Sequence, residues 1–199
     1  MPRTRSSLLA LLAAVAVAGC GDPEGGAIDA GPGDDGAVGA IDAPPVVGEP
    51  PGLEGTVAAH NAVRAQVGVG PLTWDPQLAA IAAAWAARCV DTEAPIGLID
   101  HNPGRSNGYP TYVGENIYGA GGSASGTDAV ALWAGEKANY DHATNSCAAG
   151  RVCGHYTQLV WRNTTKVGCA LHVCPGLQYG ASVVCDYGPG GNIGGQSPY

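Results

Sequence analysis

The chain has 199 residues and a formal net charge of -8, and only 13% of its residues are charged. Binding to nucleic acid phosphates needs clustered lysine and arginine, so this composition excludes a nucleic acid partner. Eight of the 17 acidic residues fall in 21–54, which leaves nine acids and seven bases in 55–199. The acidity therefore belongs to the first part of the chain, and the rest is close to neutral.

Residues 1–19 have the pattern of a lipoprotein export signal. Arg3 and Arg5 precede an apolar run over 8–18, which is too short to span a membrane because a span takes about 20 residues. The run ends in Val-Ala-Gly-Cys, which resembles the bacterial lipobox and predicts lipidation of Cys20 and attachment to a membrane surface. The alternative is an ordinary signal peptide cleaved nearby. Both interpretations predict an exported protein, anchored at the cell envelope or released outside the cell.

Residues 20–54 are rich in glycine, proline, alanine and aspartate, and they contain no basic and no aromatic residue. Such a segment cannot bury enough apolar surface to offset the entropy lost on ordering. We therefore predict a disordered acidic linker here, followed by one folded domain over 55–199.

Helix signals dominate the first half of that domain, and strand signals come late. Asp75 followed by Pro76 is a helix N-cap with proline at the first helical position, and apolar residues at helical spacing follow as far as Cys89. Alternating runs at 166–173 and 181–187 predict strands. The remaining predicted elements are helices over 56–67 and 127–142, a short helix or turn over 154–162, and a strand-like run over 112–118.

The four tryptophans and three of the five histidines are expected to have structural roles. The tryptophans are expected in the core, two histidines at the surface or as capping residues, and one histidine facing solvent from its strand. These residues are, in that order, Trp74, Trp85, Trp133 and Trp161, then His60 and His142, then His172.

Six cysteines remain once Cys20 is set aside, and all of them lie in the predicted domain. An even number of cysteines in an exported chain predicts three disulfides. Six cysteines allow fifteen pairings, and the sequence does not choose among them. Zinc ligation is the competing interpretation, which the lack of a Cys-x-x-Cys spacing weakens.

Several motifs together resemble the CAP superfamily, the group of cysteine-rich secretory proteins, antigen 5 and plant pathogenesis-related class one proteins. The motifs are GHYTQLVW at 154–161, GENI at 114–117, His60-Asn61 with Arg64, and Cys185-Asp186-Tyr187 with Asn192 and Pro198-Tyr199. The resemblance covers 55–199 and is nearest to the plant branch, while the lipobox suggests a bacterial member. It implies an α+β fold, a three-layer α-β-α sandwich with a small, mostly antiparallel sheet stapled by disulfides.

The resemblance also implies a disulfide pattern and a polar cleft. The family pairing, placed on this sequence, gives Cys89–Cys174, Cys147–Cys153 and Cys169–Cys185. The family cleft is lined by two histidines and two glutamates. The matching residues are His101, Glu115, Glu136 and His155.

Two imidazoles can bind a divalent metal, zinc or a similar ion, and leave positions open for water. His101 and His155 are the candidate metal ligands, and Glu115 and Glu136 are the candidate catalytic residues that would orient or deprotonate such a water. The alternative is a polar cluster in which carboxylates and imidazoles only satisfy each other. A catalytic zinc normally has three protein ligands, so the two histidines favour a metal-capable cleft over a hydrolytic site.

Three functions remain for the sequence. The first is a non-catalytic extracellular binding module, expected as a monomer, for which the resemblance implies a sterol, lipid or protein ligand. The second is a metal-dependent hydrolase or protease that uses the four cleft residues. The third is the precursor of a C-terminal signalling peptide, because 189–199 resembles the plant segment from which such a peptide is released, with Asp186 where that pattern has asparagine.

Overall fold

The computed structural model describes residues 48–94 and 96–199. The predicted export signal, Cys20 and most of the predicted linker lie outside the described residues. The described helices are α1 (Thr56–Ala65), α2 (Pro76–Ala86), α3 (Gly126–Gly135) and α4 (Gly154–Leu159). The described strands are β1 (Thr73–Trp74), β2 (Gly114–Ala120), β3 (Tyr140–Asp141), β4 (Ser146–Cys147), β5 (Lys166–Val173) and β6 (Ala181–Gly188). None of these helices is long and apolar enough to cross a membrane.

Four strands form the central sheet in the order β1-β5-β6-β2. Strand β6 pairs antiparallel with both β5 and β2, and only the two-residue β1 runs parallel to its neighbour. Helix α2 packs its apolar residues on one face of the sheet, against β5 and β6. Helices α1, α3 and α4 contribute to the core on the other face. The predicted three-layer α-β-α sandwich with a mostly antiparallel sheet is confirmed.

Helix α2 lies directly on the backbone of β5. The Asp75 side chain accepts the amides of Gln77 and Leu78 at 2.8 and 3.1 Å, so the predicted N-cap starts this helix. A side chain at Gly168 on β5 would collide with the backbone of Asp75 and Ala79. The glycine therefore allows the close approach that buries this face of the sheet.

The third helix is shorter than predicted. It ends at Gly135, and Glu136–Asn139 forms a single 3-10 turn instead of continuing to residue 142. Tyr140–Asp141 then pairs with Ser146–Cys147 in a small hairpin. Since residues in a hairpin strand are extended, the chain must leave the helix before residue 140. The helical spacing of the apolar residues gave no sign of this change.

The folded part begins earlier than residue 55. Leu53 is fully buried in the core, although it belongs to the predicted linker. The Glu49 carboxylate accepts the backbone amides of Gly55 and Val57 at 2.8 and 2.6 Å. These amides open α1 and have no partner within the helix, so Glu49 caps it from outside. The folded domain therefore begins before the predicted boundary at residue 54. The composition of 20–54 gives no sign that one of its leucines lies in the core and one of its glutamates caps a helix.

Three disulfides cross-link the domain. Cys89–Cys174 joins the segment after α2 to the end of β5 across a sequence separation of 85. Cys147–Cys153 closes the loop before α4, and Cys169–Cys185 joins directly opposed positions of β5 and β6. These are the three pairs that the family resemblance implies.

Candidate functional site

His101 is held by Glu115, which lies on β2. The Glu115 side chain is 1% exposed, and its Oε1 accepts from His101 Nδ1 at 2.6 Å and from the Asn102 amide at 3.0 Å. His101 itself is 58% exposed. Because the carboxylate only accepts, Nδ1 carries the proton, and Nε2 of the neutral ring keeps its lone pair. The sheet therefore fixes both the orientation and the tautomer of this imidazole.

His155 is held in the same way by Glu136, at the end of α3. Glu136 Oε1 accepts from His155 Nδ1 at 2.6 Å. Its Oε2 accepts the amides of His155 and Tyr156 at 3.0 and 3.1 Å. The His155 ring also stacks on Trp133, with centroids 6.2 Å apart and an angle of 17° between the planes. Both imidazoles thus use Nδ1 for a carboxylate and leave Nε2 available.

Both histidines line one cleft of about 600 Å³, a volume typical of small-molecule pockets. The other lining residues are mainly apolar. Leu132 and Val152, which are 59% and 60% exposed, lie at this cleft. The principal apolar lining residues are Leu98, Ile99, Ile117, Leu132, Val152 and Tyr179. The cleft therefore combines two imidazoles with a surface suited to an apolar molecule.

The four predicted residues form two pairs rather than one compact cluster. Within 48–94 and 96–199, only Cys89, His172 and Cys174 form a group of three or more candidate ligands whose ligand atoms all lie within 4.8 Å of one another. The chemistry of the cleft still fits a metal, because metal-binding histidines usually donate their other ring N–H to a carboxylate. His101 and His155 would hold such an ion through Nε2, with the other positions filled by water or ligand.

A buried hydrogen-bonded network lies behind His155 and includes His60. His60 is fully buried, with Nδ1 2.8 Å from the Thr56 carbonyl and Nε2 2.9 Å from the Tyr187 hydroxyl. Burial lowers the pKa of His60 to about 4, so this ring is neutral at pH 7. Asn116 donates to the Tyr187 hydroxyl and to the His155 carbonyl at 3.2 and 3.1 Å. The prediction that His60 is a surface or capping residue is wrong, since its ring fills the core.

Arg64 is a buried cation with a structural role. It is 1% exposed, and burial lowers the pKa of its guanidinium to about 10. Within the part of the chain that the structure describes, it donates only to backbone carbonyls, at distances of 2.6 to 3.0 Å. The acceptors are Gly70, Leu159, Trp161 and Thr164. Arg64 therefore connects α1 to the end of α4, which carries the GHYTQLVW motif.

Asp186 lies beside the first pair and was not predicted as a site residue. It is fully buried on β6, directly opposite Glu115 in the strand register. Among the described residues, neither Asp186 carboxyl oxygen nor Glu115 Oε2 has a hydrogen-bond partner. Burial, and then the charge of Glu115, raises the pKa of Asp186 to about 9, against a smaller opposing effect of Arg105. The sequence signal was an acidic residue inside an otherwise apolar strand.

The C-terminal segment 189–199 packs against the rest of the domain. The Gly190 amide donates to the Tyr112 carbonyl, and the Arg162 amide donates to the Pro198 carbonyl, both at 2.7 Å. The Tyr199 ring stacks on the His142 ring, with the ring centroids 4.2 Å apart. His142 is exposed, which confirms the surface position predicted for it. Release of this segment as a peptide stays a prediction, and these contacts would have to open first.

The tryptophans lie in the core as predicted, whereas His172 is more buried than predicted. Three tryptophans are buried, and Trp74 is half-buried against the core. His172 was expected to face solvent, but it is half-buried beside Cys89 and Cys174. The buried tryptophans are Trp85, Trp133 and Trp161.

The fold and the cleft place this protein among the CAP proteins. Residues 57–187 match the CAP family, the cysteine-rich secretory protein family, and the chain belongs to it. It is 46% identical over 142 residues to pathogenesis-related protein 1A of Nicotiana tabacum, covering 71% of this chain and 77% of that protein. It is also 46% identical over 142 residues to pathogenesis-related protein PRMS of Zea mays, covering 70% and 78%. These relatives support a secreted protein and lend no support to a bacterial lipoprotein.

Solved structures show the same fold. The venom allergen-like protein 4 of Schistosoma mansoni is 26% identical and covers 72% of this chain and 90% of that one, with a TM-score of 0.57. The structure of NaASP2 with Zn2+ is also 26% identical and covers 72% and 82%, with a TM-score of 0.56.

Proposed function

We propose that this chain is a non-catalytic extracellular binding module that holds a small apolar ligand, a sterol or another lipid, beside a divalent metal. One observation carries the proposal. Two imidazoles, each fixed through Nδ1 by a carboxylate, line the same mainly apolar cleft of about 600 Å³. An apolar ligand gains free energy from leaving water there, and the imidazoles or their metal would bind its polar end.

The metal part of the proposal rests on the donor set. His101 and His155 have the carboxylate partners that orient metal-binding histidines and raise their basicity. The related NaASP2 has a solved structure with Zn2+. A bound zinc ion would act as a Lewis acid that attracts an oxygen or an anionic head group of the ligand.

Binding is favoured over hydrolysis by the state of the two glutamates. Glu115 is 1% exposed, so its carboxylate does not reach a substrate in the cleft. Both oxygens of Glu136 accept hydrogen bonds from His155 or from backbone amides. A general base needs to be within hydrogen-bond reach of the proton that it removes. These two side chains are therefore better suited to positioning the imidazoles than to deprotonating water.

Attachment through a lipid on Cys20 belongs to the same proposal and rests on the sequence of 1–20 alone. It is tested by expressing the full chain and Cys20→Ser in a bacterial host that processes lipoproteins. Mass spectrometry of the detergent-phase protein should find acyl chains on the wild type and none on the variant. An unmodified, cleaved N-terminus in the wild type would show an ordinary export signal.

Metal binding is tested by titrating Zn2+ into chelator-treated protein in a calorimeter. The wild type should bind one equivalent, and His101→Ala and His155→Ala should each weaken binding at least about tenfold, because each removes one of two protein ligands. His142→Ala is the matched control, since this histidine is exposed and lies outside the cleft. Equal affinity in all four proteins would contradict the metal site.

Ligand binding is tested with a fluorescent sterol and a fluorescent fatty acid. Val152→Glu places a charge at the cleft and should weaken binding at least about tenfold. Val173→Glu is the control, because Val173 is equally exposed, at 60%, and does not line the cleft. Lack of saturable binding of both probes to the wild type, or equal loss in the two variants, would contradict the lipid cleft.

A further inference from the structure

Three buried carboxyl oxygens of the central sheet have no hydrogen-bond partner among the described residues, and they belong to two facing side chains. They are Glu115 Oε2 and both oxygens of Asp186. The two residues lie directly opposite each other on β2 and β6, so their side chains leave the same face of the sheet about 5 Å apart. The Glu115 side chain is 1% exposed and Asp186 is fully buried. Buried polar groups are normally hydrogen-bonded, so this pair calls for a donor.

Helix α2, which covers this face of the sheet, supplies no such donor. A side chain added at Gly168, the β5 residue opposite Asp186, would collide with the backbone at the start of the helix. From Leu78 to Ala86 the helix carries only apolar side chains and the indole of Trp85. The indole N–H already donates to the Asp100 carbonyl at 2.6 Å. The helix therefore leaves the two carboxyl groups without a partner.

The charge of Arg105 acts on Asp186, but the hydrogen bonds of Arg105 within the described chain go elsewhere. Its Nε and Nη1 donate to the carbonyls of Val113 and Asn102 at 2.9 and 2.8 Å. Its Nη2 lies 3.4 Å from the Tyr112 hydroxyl. A proton held within the pair itself is the donor that remains.

We propose that Asp186 is protonated, donates its hydroxyl hydrogen to Glu115 Oε2 and so positions His101 in the cleft. Two buried carboxyl groups this close do not both ionise, and one proton between them gives an oxygen of each a partner. Glu115 is the ionised member, because its Oε1 already accepts N–H groups from His101 and Asn102. The raised pKa of Asp186, about 9, agrees with this assignment.

The proposed bond completes a chain of three side chains that ends at the cleft. Asp186 donates to Oε2 of Glu115, and Oε1 of Glu115 accepts from His101 Nδ1 at 2.6 Å. With both oxygens engaged, the carboxylate is held in one orientation, and the imidazole keeps its proton on Nδ1. Asp186 is therefore a positioning residue, which acts on the ligand or metal only through Glu115.

The second pair reaches the same end with backbone groups. Glu136 Oε1 accepts from His155 Nδ1, and Glu136 Oε2 accepts the amides of His155 and Tyr156 at 3.0 and 3.1 Å. Each carboxylate thus needs a donor for the oxygen that does not face its imidazole. In the first pair, the facing residue on β6 is the group placed to supply it.

The proton is tested on the metal-free full chain by infrared spectroscopy at pH 7. The wild type should show the carbonyl stretch of a protonated carboxylic acid, and Asp186→Asn should lack it. Asp141→Asn is the control, because Asp141 is exposed and its lowered pKa keeps it ionised, so this variant should retain the band. Absence of the band from the wild type, or its survival in Asp186→Asn, would overturn the proposal.

Positioning is tested with Asp186→Leu, which keeps a similar volume and removes the donor. Glu115 Oε2 is then left unpartnered, so Glu115 should take up a proton and His101 should lose its Nδ1–H tautomer, as read by nitrogen NMR of labelled histidine. Asp186→Asn, the conservative variant, still donates to Oε2 and should keep the tautomer. Val184→Ala, on the same face of β6, controls for destabilisation and should keep it too.

The effect on metal binding rests on the proposed function. Zn2+ affinity in calorimetry should fall at least about tenfold in Asp186→Leu and stay within about twofold in Asp186→Asn. An unchanged tautomer in a folded Asp186→Leu would overturn the positioning role. If the wild type binds no Zn2+, the proposed metal site fails, while the tautomer comparison still decides the role of Asp186. If Asp186→Leu does not fold, the infrared band and the tautomer in Asp186→Asn decide it.

Discussion

Replacing Asp186 by asparagine removes a carboxyl group that the fold keeps protonated. Asp186 is fully buried, and burial with the charge of Glu115 raises its pKa from 3.8 to about 9. Between these two values the native state binds a proton that the unfolded chain has lost. The free energy of unfolding therefore falls as pH rises through this window, at about 1.4 kcal/mol per pH unit.

The size of the effect follows from the two pKa values of Asp186. At pH 7 the free energy of unfolding is about 4 kcal/mol lower than it would be with an uncharged side chain at this position. By pH 9 the difference reaches about 7 kcal/mol. Asparagine has nearly the same shape and no charge at any pH. Asp186→Asn should therefore match the wild type near pH 4 and be about 4 kcal/mol more stable at pH 7. In a domain of this size that corresponds to roughly 10 °C in Tm.

The assay is urea unfolding followed by circular dichroism, for the wild type and Asp186→Asn, at intervals from pH 4 to pH 9. Asp141→Asn is the control, because Asp141 is exposed and its pKa is lowered, first by the Thr144 side chain and then by the Ala143 amide. The control should lose stability at pH 7, opposite in sign to Asp186→Asn. Wild-type and Asp186→Asn curves that run parallel from pH 4 to pH 9 would refute the reasoning, since Asp186 would then be ionised in the fold.

Three further predictions concern the buried cation, the second imidazole and the longest cross-link. Arg64→Met should lower the free energy of unfolding by about 3–5 kcal/mol in chemical denaturation, because three buried carbonyls and one partly buried carbonyl lose their donor. Glu136→Gln should weaken Zn2+ binding by about 10–100-fold in calorimetry, because His155 is then oriented less firmly. A loss below twofold would show that Glu136 does not support the metal. Replacing Cys89 and Cys174 together by alanine should lower the free energy of unfolding by about 4–5 kcal/mol in the same denaturation experiment, since the disulfide closes a loop across a separation of 85 residues. An unchanged denaturation midpoint would contradict this.

Most of the architecture could be predicted because local signals and long motifs agreed. Asp75-Pro76 started its helix as expected, and the alternation at 166–173 became β5. The resemblance to CAP proteins supplied the layer arrangement, which periodicity alone does not give. The structure pairs each predicted histidine with a predicted glutamate, and the two histidines line one cleft.

The misses share a physical cause, which is burial decided by contacts distant in sequence. His60 is polar and lies on an amphipathic helix, yet the Tyr187 hydroxyl, 127 residues away, satisfies its second nitrogen in the core. Asp186 is buried beside Glu115 only because of the register between β2 and β6. Leu53 lies in a low-complexity segment and is nevertheless part of the core. Spacing within a short window carries no information about such partners.

The two halves of the cleft differ in how firmly the fold holds them. Glu115 sits on a strand paired along its whole length with β6, whereas His101 lies in the irregular segment between α2 and β2. The backbone amides of β6, and those of β2 that donate to β6, should therefore exchange with deuterium slowly and at nearly the same rate with or without ligand. Amides around residue 101 should exchange faster and slow down on binding. If the cleft binds a lipid as proposed, ligands of different size would be accommodated by changes in the segment around residue 101, while the sheet that aligns the imidazole keeps its protection.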